Sequence, residues 1–550
     1  AVSLHQKNFL DEAEEIYREI LCQDPEHADA LHLLGLVQHQ RGMHEAALCS
    51  VDLAIAVNAN IPTYHVNRAR ILRILGCGEM AAEAASAALA REPHNPEAWC
   101  ELAGALLEIE NWAESLIAAK HAYRLAPDLI EVRKNLALAH FGQGCLHQET
   151  RNYCMAEEHY RAALKFEPEL IEALVNLGNI LRLLYRFEEA LEYYESAISL
   201  APGLSEVHGN KGVVTQEIGD TDAAIKSYDI SLQLDPKNAE IHRNRAQALL
   251  KLGRFQEGWP EFEWRWKTRH FAPIHRQWHS PQWSGQQLNG ELVLVHAEQG
   301  YGDSLQFARY LPLLAQMGAR IIVECPADLI GLISTVKGVE QVVTVGEVLP
   351  QHDFHIPMLS LPGAFKTDFD NMPALVPYIT VPEASQMKWQ NRLGMDDKRF
   401  CIGLVWKGSA QHQRNEWRSP GLEKFELLVQ LEEFRWFSLQ KDDEAIDLAR
   451  VNFGKQITAL GHEFEGFTDT ASAILNLDLI ISPDTAVAHL AGALAKPVWL
   501  ILPYSNEWRW FERRTDSPWY PTMKLFHQHV LGDWGGAFAT IATELEERAF

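Results

Sequence analysis

The stretch ELVLVHAEQGYGDSLQFARY (residues 291–310) runs from β-branched residues into two glycines and a single acid, then into an apolar helical period. Gly300 and Gly302 permit a tight turn and close backbone approach, which places Asp303 at the mouth of a strand-to-helix loop. α/β folds keep their chemistry at such loops. A second stretch, LDLIISPDTAVAHLAGALAKPVWLIL (477–502), drives a strand into Ser482, Pro483, Asp484 and Thr485. The helix that follows opens with unpaired N–H groups at its positive dipole end, a ready site for a diphosphate. Thr485 and His489 stand four apart on one helical face, both within reach of that anion. The alternative is that Asp484 merely caps the helix and His489 is packed.

These loops need sheets to hold them. Beyond residue 290, short β-rich runs alternate with helical periods: LVLVH (292–296), RIIVEC (320–325), QVVTV (341–345) and DFHIPM (353–358). A break near 377–393 precedes a second series, FCIGLVW (400–406), FRWFSLQ (434–440), LDLIISP (477–483) and PVWLILP (497–503). Such alternation means parallel sheets with ligands at the carboxyl ends of the strands. The expected α/β domains span 291–385 and 386–550, and two facing domains make a cleft.

The first half has a different period. A corner recurs at Asp24-Pro25, Asn58-Ala59, Glu92-Pro93, Ala126-Pro127, Glu167-Pro168, Ala201-Pro202 and Asp235-Pro236, with spacings of 34, 34, 34, 41, 34 and 34. With small residues at Ala47, Ala156, Ala190 and Ala224 and tyrosines at 160, 194 and 228, the pattern resembles the tetratricopeptide repeat, a helix–turn–helix unit. An α-solenoid over residues 1–253 is expected, with the long spacing near 141–154 as an extended helix or a loop. One position of each first helix holds Asn67, Asn135, Asn176, Asn210 and Asn244, against Leu33 and Glu101 in the other two repeats. An asparagine amide donates and accepts, so this ladder suits an extended polypeptide held without regard to its side chains. The other reading is that these amides bond between helices and stabilise the stack.

Residues 254–290 form a joint carrying Trp259, Trp264, Trp266, Trp278 and Trp283. Indole rings can stack on sugars, but packing of a rigid joint is the preferred reading.

Composition narrows the partners. With 74 acids against 49 Lys and Arg, a formal charge of -25 gives no general attraction for nucleic acid or anionic lipid. The eight cysteines show neither a C-x-x-C pair nor zinc spacing, as expected of reduced thiols in a cytoplasmic protein. Apolar stretches fall short of a membrane span, and no signal pattern opens the chain. Ala1 falls partway through a repeat, which suggests a missing upstream segment.

The D-T-x-x-x-H-x-x-x-A pattern of Asp484, Thr485, His489 and Ala493 resembles the donor-phosphate motif of heptosyltransferase-type glycosyltransferases of the GT-B fold. Gly302-Asp303 matches the loop after their first strand, where that family places its catalytic base. The stretch VNLGNIL (175–181) is similar to repeats of O-linked N-acetylglucosamine transferase, whose ladder holds acceptor protein. The whole arrangement looks like the bacterial tetratricopeptide-repeat glycosyltransferases, some of which modify flagellin. The resemblance implies a nucleotide-sugar donor, a protein acceptor and inversion at the anomeric carbon. Ala486 departs from the family's usual glycine, so the sugar is not carried over.

On this footing Asp303 is the expected base, with Glu298 and His296 of the same loop as alternatives if Asp303 caps its helix. His296 otherwise orients the acceptor. Leaving-group charge falls to the loop GLVWKGSAQHQRNEWRSP (403–420), which carries Lys407, His412, Arg414 and Arg418. Arg418 lies where the family keeps a basic residue against the phosphates. Lys407 is either a second phosphate contact or a solvated lysine. Gln440 and Lys441 fall where GT-B enzymes bind the nucleoside, although Lys441 equally suits a surface role. Trp508, Arg509, Trp510, Trp519 and Tyr520 form the expected wall returning to the first α/β domain. No Asp-x-Asp dyad sits at a strand end, so no metal or other cofactor is expected. The remaining readings are a glycan- or lipid-directed enzyme and a repeat scaffold with a relic transferase domain.

Overall fold

The computed structural model describes residues 1–394, 399–409 and 415–549. It divides into two compact units, Ala1–Val214 and Thr215–Phe550.

The first unit is a run of helix–turn–helix pairs, such as Ala28–Gln40 with His44–Val57 and Ile171–Leu183 with Phe187–Leu200. Ala47, Ala156 and Ala190 are fully buried where paired helices meet. Gly178 lets Tyr194 in, since a Cβ there would lie 2.6 Å from the ring. The helix Ile130–Glu149 has 20 residues where Ile171–Leu183 has 13. The long corner spacing is therefore an added two turns of helix rather than a loop.

The second unit begins with the helices Thr221–Leu234 and Ala239–Lys251. Ala239–Lys251 packs on the helix Phe255–Phe262, the turn Glu263–Lys267 and the turn Trp508–Trp510, so the last helix pair before residue 253 sits with the α/β part. The tryptophans of the joint are packed. Trp259 and Trp283 are buried, and their indole N–H groups donate to the carbonyls of Thr367 (2.7 Å) and Gln286 (2.9 Å).

Two wholly parallel sheets follow. Strands β1 (Leu292–His296), β2 (Arg320–Cys325), β3 (Val339–Thr344) and β4 (Phe354–Pro357) are ordered β3-β2-β1-β4. Strands β5 (Phe400–Leu404), β6 (Phe434–Ser438), β7 (Ile457–Ala459), β8 (Leu479–Pro483), β9 (Val498–Leu502) and β10 (Met523–His527) are ordered β10-β9-β8-β5-β6-β7. Strands β8 and β9 are buried along their whole length, as expected of parallel sheets covered on both faces. The second order is that of a doubly wound dinucleotide-binding sheet. The fold is thus a tetratricopeptide α-solenoid followed by an α/β part of two Rossmann-like sheets. Strands β7 and β10 go beyond the sequence reading. No helix among the described residues is long and apolar enough to cross a membrane.

Candidate active site

Each sheet reverses its strand order beside its first strand, between β1 and β4 and between β5 and β8. A cleft of about 960 Å3 draws its lining from the carboxyl ends of all four: Glu298 and Asp303 after β1, Leu359 after β4, Lys407 after β5, and Asp484 and Thr485 after β8. Both switch points therefore open on one cavity, where parallel sheets bind ligands.

Asp303 sits in the first turn of the helix Tyr301–Phe307 and is doubly engaged. Its Oδ2 accepts from the Gly300 N–H (3.2 Å), and its Oδ1 accepts from Arg509 Nη2 (2.8 Å). It does cap its helix, yet its side chain keeps 14% exposure toward the cleft. Glu298 is more enclosed, its side chain 1% exposed and both oxygens bonded to Arg265 Nη2 at 3.0 and 3.1 Å. Burial pushes its pKa up to about 7 against the pull of Arg265, with Glu263 and Asp303 adding to the rise. His296 is not a site residue. It stacks on Trp278 with ring centroids 4.6 Å apart, lies outside the cleft lining, and is kept neutral by burial, its pKa lowered to about 3.

The helix Tyr301–Phe307 packs directly on the helix Ala486–Ala493, whose N-cap position is held by Thr485 with no side-chain cap among the described residues. The Thr485 hydroxyl pairs instead with Ser482 Oγ at 2.9 Å, and Ala486 and Val487 line the cleft at the open helix end. Asp484 therefore does not cap. Its carboxylate lies 3.4 Å from His489 Nε2, while the Tyr520 hydroxyl lies 3.0 Å from His489 Nδ1. Burial alone would raise the Asp484 pKa, but His489 and Arg509 hold it well below the ordinary carboxylate range. Burial lowers the pKa of His489, and both its ring nitrogens have neighbours, so the histidine is packed rather than aimed at an anion. The direct anion contacts left here are Thr485 and the free helix N–H groups.

Among the expected cations, Arg418 stands out. It lines the cleft from the short helix Asn415–Arg418 and packs over Gly408, where a Cβ would meet Arg418 Nη2 at 2.6 Å. Its Nε is buried with no hydrogen-bond partner among the described residues. Lys407 is neither solvated nor a free phosphate contact. Its Nζ lies 2.6 Å from Asp447 and 3.1 Å from Asp443, which raise its pKa against partial burial. Gln440 Oε1 accepts from the backbone N–H groups of Trp406 (3.3 Å) and Lys407 (3.2 Å), tying the end of β6 to that of β5. Lys441 is exposed at the cleft edge. His412 and Arg414 lie outside the described residues.

The asparagine ladder spends much of itself on the stack. Within the first unit, Nδ2 groups reach from Asn67 to His32 Nε2 (2.8 Å), from Asn135 to the Cys100 carbonyl (3.0 Å) and from Asn210 to Asn179 Oδ1 (3.1 Å). Asn176 Nδ2 has a longer contact with the Tyr160 hydroxyl at 3.4 Å. These are the interhelical bonds of the stabilising alternative. In the second unit, Asn244 makes no side-chain hydrogen bond among the described residues. At the unlike position Glu101, Arg70 and Arg73 bind the acid at 2.7 and 2.8 Å.

Sequence reasoning missed the role of Arg509. It is 9% exposed, and its Nη1 donates to Gln306 Oε1 (2.7 Å) while Nη2 holds Asp303. Its pKa is raised because Asp303 and Asp484 outweigh burial. Arg265 was missed likewise, being wholly buried between Glu263 and Glu298. Among the described residues, no group of three or more His, Cys, Asp or Glu is arranged to hold a metal ion.

Fold and site define a tetratricopeptide-repeat protein whose repeats precede a two-sheet α/β part with one shared cleft. Residues 1–63, 79–130 and 171–204 match the family described as tetratricopeptide repeat, and residues 216–253 match one described as TPR repeat. Among named proteins, the chain is 26% identical over 327 residues to protein FlbA of Caulobacter vibrioides, covering 55% of this chain and 54% of FlbA. The chain thus spans about half the length of that curated relative. Similar solved structures include YrrB, described as a TPR protein with an unusual peptide-binding site (18% identity, 35% of this chain, 95% of YrrB, TM-score 0.29). PilF of Pseudomonas aeruginosa is another (19% identity, 43% of this chain, 98% of PilF, TM-score 0.31). So is MamA (21% identity, 32% of this chain, 94% of MamA, TM-score 0.27).

Proposed function

We propose that the chain is a GT-B glycosyltransferase that moves a sugar from a nucleotide-sugar to Ser or Thr hydroxyls of a protein held by the repeats. The observation that carries this reading is the asymmetry of the cleft. The β5/β8 side presents Arg418, whose buried Nε has no hydrogen-bond partner among the described residues, and a helix end that no side chain caps among them. The β1/β4 side presents the carboxylate of Asp303.

That pairing suits inverting displacement. The acceptor oxygen attacks the anomeric carbon and its proton passes to Asp303. The bond from that carbon to the phosphate oxygen breaks, and its electron pair leaves with the nucleoside diphosphate. Arg418, Thr485 and the N–H groups opening the helix Ala486–Ala493 meet the developing charge. Asp303 is preferred over Glu298 as base because its side chain keeps access to the cleft, whereas Glu298 is sealed against Arg265. Gln440 and Lys441 line the cleft after β6 and would be the nucleoside contacts in this reading. The repeats supply the protein-binding part, and flagellin is the acceptor that the family likeness suggests.

A second reading, a repeat scaffold without transferase activity, draws on two observations: Lys407 is tied to aspartates, and Asp303 is held by Arg509. The two readings separate when the chain is incubated with UDP-, GDP-, ADP- and CMP-sugars and candidate acceptor proteins, including flagellin. Intact-mass spectrometry is expected to show an added sugar with wild type and none with Asp303→Asn. No added sugar with any donor would leave the scaffold reading.

A further inference from the structure

Of the basic stretches in this acidic chain, one adjoins the cleft. Residues 264–290 contain no Asp or Glu but hold Arg265, Lys267, Arg269, Arg276, His270, His275 and His279. A run of similar length, residues 53–78, lies among the repeats, but this one adjoins the cleft. His270 and Phe271 line the cavity together with Arg243 and Gln247, which stand one helical turn apart on Ala239–Lys251.

The neighbouring acids are already engaged. Glu261 takes His242 and Arg245, Glu263 and Glu298 take Arg265, and Glu324 takes Arg276. Glu240 Oε1 accepts from the Arg269 backbone N–H at 3.0 Å, which fixes the loop but leaves the guanidinium free. Among the described residues, Arg243, Lys267 and the Arg269 side chain therefore have no ion pair. Lys267 is nevertheless held in place, with its Nζ 3.7 Å from the centre of the Trp264 ring, which stacks on His242 at 3.9 Å. One cation held over an indole, with two more that have no ion pair among the described residues, gives a surface that attracts anions from outside.

We propose that this lip is a subsite for an acidic segment of a polypeptide acceptor, its carboxylates met by Arg243, Lys267 and Arg269 and its backbone by Gln247. The proposal rests on the reading of the cleft as a transfer site with a protein acceptor. A polyphosphate backbone fits less well, because the cations are spread singly along a helix and a loop and the chain as a whole is strongly negative. The lip meets the β1/β4 side of the cleft through the turn Glu263–Lys267, whose Arg265 binds Glu298, so it would select acceptor rather than donor.

The test uses the full chain and fluorescein-labelled synthetic peptides in which a central Thr is flanked by Glu, or by Gln in an otherwise identical peptide. Fluorescence anisotropy without donor is expected to show tighter binding of the Glu peptide, with the preference shrinking as salt rises. Arg243→Gln and Lys267→Gln should each weaken it about threefold to tenfold while leaving the Gln peptide and the melting temperature unchanged. Lys267 is exposed, so its variant remains informative if Arg243→Gln is unstable. Equal binding of the two peptides, binding of neither, or stronger binding of polyuridylate than of the Glu peptide would overturn the proposal. Nucleotide titration of the same preparation separates the failures: a chain that binds nucleotide but ignores peptide charge loses only the lip.

Discussion

The two crevices of the cleft share a topology and differ in what fills it. At the β1/β4 crevice, carboxylates are held by arginines that are themselves buried, Glu298 by Arg265 and Asp303 by Arg509. At the β5/β8 crevice the pattern differs, since among the described residues Arg418 carries a buried donor with no partner and the helix after β8 has no side-chain cap. The same switch-point order thus carries carboxylates held by arginines on one side, and an arginine and an open helix end on the other. The chemistry comes from side chains placed on the switch point, not from the sheet.

The largest effect expected from breaking this contrast is at Asp303. Asp303→Asn should lower kcat for transfer about a hundredfold to ten-thousandfold with nucleotide affinity retained, and Glu298→Gln should lower it by less. A larger loss in Glu298→Gln, measured by nucleotide release, would exchange the two roles.

Arg509 tests whether the proton-accepting wall needs its clamp. Arg509→Gln leaves Asp303 Oδ1 and Gln306 without their donor, and kcat is expected to fall about tenfold or more, with the donor KM little changed. Arg509→Lys keeps the charge without the fork and should recover only part of the loss. Full recovery would show that charge alone suffices.

A further effect is one of stability. Glu298 has a folded pKa raised to about 7 by burial, above its unfolded value, so its contribution is complete below the unfolded pKa and is lost as pH climbs through 7. Compared with Glu298→Gln, the wild type should lose up to about 3 kcal/mol of relative stability across that interval and then level off. Melting temperatures of both proteins at a series of pH values measure it. A constant difference would place Glu298 in an ordinary, solvated environment.

The sequence was most legible where local pattern and tertiary demand coincide. LVLVH and RIIVEC form β1 and β2 with the expected ends because buried parallel strands are continuous apolar runs. MKLFH, interrupted by a lysine whose ammonium pairs with Glu544, carried no such signal and became β10. ITA was too short to read and became β7. The loop holding Asp303 and the helix start at Thr485 were readable because both are local features. The occupancy of those sites was not. Arg509 reaches Asp303 from 206 residues away, and Lys407 is tied to aspartates that come 36 and 40 positions later. The asparagine ladder shows the same limit, because its recurrence was visible while the partners of its amides lie on other helices.

Calorimetric titration of the full chain with UDP, GDP, ADP and CMP, repeated on Arg418→Ala, tests the two-walled cleft most directly. One nucleotide should bind selectively with one site per chain, and the substitution should weaken it about tenfold or more through loss of a charge-assisted contact. Absence of binding by all four at millimolar concentration, or binding indifferent to Arg418, would contradict the account.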